Sequence, residues 1–243
     1  MCGRYTVTTQ QDLIAEMDLV RADDASCAGA LAVAPGLPAG LTSWWAPRWN
    51  VAPTQPAAVV LTRAGRATLG LLRWGLVPHW ADDLAIGVRH INARAETAAG
   101  KPAFRDSLRR RRCLVAADGF YEWRRDGKRR VPHWFGPGGG GPVTFAAIWD
   151  RWRRRDAPAG APWVESFAIL TTAAAPLVAP LHERMPVVVA AADRARWLAA
   201  DDLPAEAVTD LLAPGAAVVA GWIDREVEPW VNDARRERGD PAG

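Results

Sequence analysis

Between positions 56 and 190 the chain is cut into short apolar runs, at 56–62, 67–74, 113–117, 120–124, 143–149, 166–172 and 186–190, separated by Gly, Pro and Asp. Runs of this length bounded by turn residues read as strands. No stretch of helical period recurs between successive runs, so the parallel βαβ rhythm is excluded. The fold expected is α+β, a mostly antiparallel, barrel-like β-sheet core with a few peripheral helices. Asp126-Gly127 between two runs signals a tight hairpin, and the glycines at 136–141 a second turn. A first strand is expected at 2–7, followed by a helix capped by Thr9 with Leu13, Ile14, Met17 and Val20 on one face. Residues 21–47, rich in Ala, Pro, Gly and Asp, read as a long loop or insertion. Pro102 opens a short helix carrying Phe104 and Leu108; later helices are expected at 193–200 and 204–212 and a last strand at 217–223. The organisation expected is a single domain over 1–233 and a polar, frayed tail at 234–243.

With 49% apolar and 23% charged residues in 243, the chain can bury a real core, and bulk disorder is excluded. No apolar run approaches the ~18–20 residues that span a bilayer, and the N-terminus lacks the pattern of a secretory signal. Cys2, Cys27 and Cys113 make no disulfide framework and no Cys-x-x-Cys pair. His79, His90 and His133 have no ligand spacing with one another, so no metal and no cofactor are inferred. A reducing, cytoplasmic location follows from this cysteine usage.

Net charge is only +3, yet the cations cluster: Arg109 to Arg112, five basic residues between Arg124 and Arg130, and four between Arg151 and Arg155. Arginine suits bidentate phosphate contacts, and 13 tryptophans offer flat faces to unstacked bases, the combination a single-strand groove needs. The plain alternative is a solvated face in an arginine-rich chain.

Cys2 follows Met1, and removal of Met1 would leave an α-amine and a thiol on adjacent carbons. Their reference pKa values, ~7.7–8.0 and ~8.5, place reactive forms of both near neutral pH. The amine can form a Schiff base with an aldehyde, and the thiol can then close a five-membered thiazolidine. Met1-Cys-Gly-Arg-Tyr5, Asn50-Val-Ala-Pro53, Arg73-Trp-Gly75 with Pro78 and Trp80, the run from Ile91 to Thr97, Phe120-Tyr-Glu-Trp123 and His182-Glu-Arg-Met-Pro186 occur in order along the chain. Together they resemble the SOS response-associated peptidase family, whose members process abasic sites.

The resemblance implies a set of roles. Cys2 is the nucleophile that links to the abasic-site aldehyde; Asn50, Asn92, Glu122 and His182 complete the catalytic group. Arg4, Arg94 and Arg184 contact DNA, Trp80 lies against a base, Lys101 is a further basic contact, and Thr171 stands beside the pocket. The partner implied is single-stranded DNA containing abasic sites, bound by a nucleoid-associated monomer. Chemically, Glu122 could shuttle the proton for sugar ring opening, and His182 could act as the acid that expels water. Two other readings remain open: an N-terminal-cysteine peptidase or amidohydrolase, and a non-catalytic single-strand binder. The segment 21–47 and the closing segment at Glu228-Pro229 depart from the family pattern.

Overall fold

Strands whose side chains alternate between two buried faces need partners on both edges, and closure into a barrel supplies them. The computed structural model describes residues 2–199, 208, 212 and 219–241. Five strands form the closed unit: β4 (Pro56–Arg63), β5 (Arg66–Trp74), β7 (Arg112–Ala117), β10 (Val143–Trp152) and β11 (Val164–Ala173). They pair in the order β11-β10-β7-β4-β5, and β5 returns to β11 through the parallel pairs Ser166↔Arg73 and Phe167↔Trp74. The short strands β2 (Val20–Arg21) and β12 (Arg184–Pro186) extend this sheet, and β6 (Asn92–Arg94) runs parallel to β11.

A second sheet has the order β13-β9-β8-β1-β3, built from β1 (Tyr5–Val7), β3 (Arg48–Val51), β8 (Gly119–Asp126), β9 (Arg129–Pro137) and β13 (Trp222–Glu226). Its inner face lies on the barrel: the Tyr5 ring meets Trp74 edge-on at 5.3 Å, and Phe120 meets Phe145 at 6.2 Å. Both belong to one continuous core cluster. The outer face carries Tyr121 and is covered by Val227, Trp230 and Val231. β8 and β9 form the expected hairpin, with Asp126 opposite Arg129 and Gly127 at φ 57°, the left-handed region that a two-residue hairpin turn requires.

Helices α1 (Gln10–Met17), α3 (Ala95–Ala98), α4 (Arg105–Arg110) and α5 (Arg194–Leu198) sit at the periphery. Five local expectations change. Thr9 precedes α1 without capping it, because its hydroxyl donates to Asp118. Residues 21–47 contain a helix, α2 (Asp24–Ala32), capped by Asp23, which accepts from the Ser26 N–H at 2.7 Å. The run at 186–190 is strand only to Pro186; Val188 adds one isolated bridge to Phe145. The last strand begins at Trp222, while the helix expected at 204–212 falls largely outside the described residues. Over 234–237 the tail is pinned rather than frayed: Gln55 Nε2 donates to Ala234 O at 3.1 Å, Glu237 accepts from the Trp49 N–H, and Arg236 bridges Ala39.

Candidate functional site

Antiparallel pairing of Tyr5 with Phe120 fixes where the N-terminus ends. Cys2 lies three residues before that pair and Glu122 two residues after it, so both arrive at the same end of the β1–β8 ladder. β6 closes the other side: Asn92 Nδ2 donates to the Cys2 carbonyl at 2.8 Å. The Cys2 thiol is fully buried and points to Arg4 O at 3.8 Å. Burial first, and the nearby Glu122 carboxylate second, push this thiol far above its ordinary value. It is therefore a neutral thiol at physiological pH, not a standing thiolate.

Glu122 is 5% exposed, and burial raises its pKa against the opposing pull of His182 and Arg130. Cys2, Asn92, Glu122 and His182 thus form one linked group. His182 is half-buried in the turn before β12. Its Nδ1 accepts the Arg184 backbone N–H at 2.9 Å, which leaves the proton of the neutral ring on Nε2. The ring is thereby set as a donor through Nε2. A proton-shuttling acid would have to surrender the Nε2 proton and put one on Nδ1, opposite a backbone N–H. The backbone geometry does not favour the water-expelling acid role expected from sequence.

Asn50 is elsewhere. It is fully buried, with Oδ1 accepting from Arg4 Nη1 at 2.6 Å and Nδ2 donating to Asp233 O at 3.0 Å and Arg236 O at 2.9 Å. Both of its N–H donors are spent on the tail, so it braces the site rather than facing a substrate. Arg4 also donates to Val231 O and lies 5.8 Å from the Trp123 ring; burial pulls its guanidinium down to about 10. It lies on the outer sheet face, and its Nη1 donates to Asn50 and Val231, so a phosphate would have to compete with these acceptors. The Glu228-Pro229 departure now has a structural place: Pro229 opens the 3-10 turn whose Val231 carbonyl receives Arg4. Asn50→Ala would leave the half-buried Arg4 guanidinium with Val231 O in place of two acceptors and open a hole where Asn50 held the chain's end. Urea unfolding is expected to show a loss of roughly 3 kcal/mol.

Two further expectations shift. Thr171 has no exposed surface and its hydroxyl reaches only Ala93 O at 3.5 Å, so it shapes β11 and cannot touch DNA from outside. Arg184 is held in a bidentate pair with Glu96 at 2.8 and 2.7 Å and donates to Thr171 O at 2.5 Å; a phosphate would have to displace Glu96. Arg94 and Lys101 are exposed and form no ion pair among the described residues, and Trp80 is 44% exposed. The glycine of Arg73-Trp-Gly75 is sterically required: a Cβ there would sit 2.6 Å from Gly87 O, where the loop after Trp80 turns back.

Sequence reasoning missed Asp118, whose carboxylate accepts the backbone N–H groups of Thr8 and Thr9 at 2.5 and 3.0 Å and so fixes the chain leaving β1. It also missed Trp123, the platform for Arg4 and Arg130, the latter at 5.3 Å. The two threonines before an amphipathic helix were visible, but their distant acceptor was not.

A family model described as SOS response associated peptidase (SRAP) matches residues 1–234. The chain belongs to this family. Among SRAP relatives, the abasic site processing protein YoqW of Bacillus subtilis is 34% identical over 215 residues, covering 88% of this chain and 87% of that protein. YedK of Escherichia coli, also called an abasic site processing protein, is 31% identical over 151 residues, 62% of this chain and 64% of its own. A solved structure from Bacteroides thetaiotaomicron superimposes with a TM-score of 0.76 at 20% identity, covering 99% of this chain and 97% of that one. That likeness concerns the SRAP fold.

Proposed function

We propose that this chain processes abasic sites in single-stranded DNA by forming a covalent thiazolidine through Cys2. The observation that carries this reading is the Cys2 site itself: a buried neutral thiol, its carbonyl held by Asn92, beside a carboxyl of raised pKa. After removal of Met1, the Cys2 amine attacks the C1′ aldehyde of the ring-opened sugar. The carbinolamine loses water to give a Schiff base, with His182 Nε2–H donating a hydrogen bond to the departing oxygen. The thiol then adds to the imine carbon. Its proton leaves to Glu122 and returns to the nitrogen, so aldehyde and aminothiol become thiazolidine and one water. Glu122, whose pKa burial raises, relays the proton from the anomeric hydroxyl to the ring oxygen in ring opening and, as the carboxylate, takes the thiol proton.

A hydrolase that used the cysteine for acyl transfer would need a lowered thiol pKa, and this one is raised. Removal of Met1 is then the chain's own peptide chemistry, and β-elimination from the Schiff base would give a lyase side reaction. Arg94, Lys101 and Trp80 supply phosphate and base contacts for a monomer working on DNA in the cytoplasm. No helix among the described residues is long and apolar enough to cross a membrane.

The test is a denaturing gel of the protein with abasic single strands. Wild type is expected to give a shifted, denaturation-resistant band and loss of Met1 by intact mass; Cys2→Ala is expected to give none. A wild-type chain that binds without an adduct would leave only a single-strand binder, and turnover of an amide would favour the hydrolase.

A further inference from the structure

We infer that the β8–β9 hairpin, residues 124–130, is the phosphate-gripping arm for the DNA strand that enters the Cys2 site; this rests on the reading above and adds a surface to it. The three basic runs in the sequence part company in the structure. In the first, Arg112 is buried, with its guanidinium spent on Trp197 O and Ala199 O, and Arg111 pairs with Asp150. In the third, Arg154 and Arg155 pair with Asp156 and Asp82, while Arg151 and Arg153 lie over Trp163 at 5.2 and 4.4 Å. In the hairpin, Arg124 pairs with Glu226, but Arg125, Lys128 and Arg129 are exposed and form no ion pair among the described residues. Arg130 lies over Trp123.

Position makes these cations relevant. Glu122 is on β8 itself, and Asp126 at the tip is four residues further, about 13 Å at strand rise. Arg125 faces Arg130 across the ladder, and Asp126 faces Arg129, so seven paired positions from Phe120 to Asp126 hold the arm in register. The ladder fixes the arm's backbone relative to Glu122, and strand alternation puts Arg129 on the Glu122 face and Arg125 on the Trp123 face, so the cations line both sides of the arm. Cys2 sits between this hairpin, on the β8 side, and exposed Arg94 on β6 beside Asn92. Unpaired cations therefore flank the reactive residue on two sides. Arg4 and Arg184, two of the motif arginines, are occupied by Asn50 and Glu96. The occupant that matches a bare line of guanidinium and ammonium groups leading from an aldehyde-trapping site is the phosphate backbone of a single strand.

The experiment replaces Arg125, Lys128 and Arg129 together by serine and measures binding to intact, non-abasic single strands from low to high salt. Each lost phosphate contact is worth about 0.7 in the slope of log K against log salt on single strands, so the slope is expected to fall by about 2. The DNA concentration for half-maximal crosslinking should rise about tenfold, while the rate at saturating abasic DNA stays within about twofold. Arg151→Ser with Arg153→Ser is the control and should leave the slope unchanged. An unchanged slope in the hairpin variant overturns the inference, as does a loss confined to duplex DNA or a wild type that does not bind single strands. If wild type binds single strands but forms no adduct, the proposed chemistry fails while the slope still reports on the hairpin.

Discussion

A residue or tag fused ahead of Met1 and left uncleaved is expected to abolish the DNA adduct completely, with affinity for intact single strands within about twofold of wild type. The reason is chemical before it is structural. An amide nitrogen has no basic lone pair for attack on an aldehyde, so an acylated Cys2 cannot form the Schiff base. The thiol alone offers no substitute, because burial holds it protonated. A thiol could at most form a reversible hemithioacetal. The phosphate contacts proposed, Arg94, Lys101 and the hairpin cations, stand on β6, the segment after it and β8–β9, and none uses the Cys2 amine, so binding should survive. The measurement pairs a denaturing gel with salt-dependent binding on the same preparation. An uncleaved, tagged chain that crosslinks at full yield would remove the amine from the mechanism.

The barrel strands were legible because each apolar run satisfies a local rule, and closure left few alternatives for where they could pair; β2, β3 and β6, of two to four residues, were too short to show such a run. Helix α2 was less so, since Ala-rich composition with Gly and Pro reads as loop. The Asp23…Ser26 cap that starts it was nonetheless present in the sequence. The run at 187–190 misled because its backbone bonds are shared between two strands: Ala146 N–H to Val187 O and Val187 N–H to Leu170 O. It is apolar for burial without being a continuous strand.

For the site, residue type was legible and direction was not. Arg4 and Tyr5 are neighbours, yet the strand pleat sends Tyr5 inward to Trp74 and Arg4 outward to Val231. Asn50 and Asn92 carry the same amide, but one lies where the tail crosses β3 and the other where β6 meets the N-terminus. Thr171 lies on a strand buried on both faces. Such assignments depend on which partner arrives from 46 to 227 residues away, and no local pattern encodes that.

Glu122→Gln is expected to slow adduct formation or its reversal by about 10²–10⁴-fold, with single-strand affinity nearly unchanged. Glutamine keeps the size and a hydrogen bond but can neither give nor take the proton that ring opening and thiol addition require. His182 does not replace it, because Nδ1 is committed to the Arg184 N–H. The pH dependence should follow. Burial raises the Glu122 pKa, so the acid form persists above the ordinary ~4.3 of a glutamate, and the variant should lose the corresponding limb of the rate profile. Stability separates this role from a structural one. A carboxyl that binds its proton more tightly folded than unfolded favours folding fully below the unfolded pKa. That contribution is lost as pH rises from ~4.3 through the higher folded value. Above that window wild type carries a buried charge that glutamine lacks. Glu122→Gln should therefore melt no lower than wild type at neutral pH, and its melting temperature should lose the corresponding acid-side dependence. A slow, fully stable variant identifies a proton carrier. A variant with wild-type rates in both directions, or one slowed only in proportion to lost stability, would move the shuttle to another group.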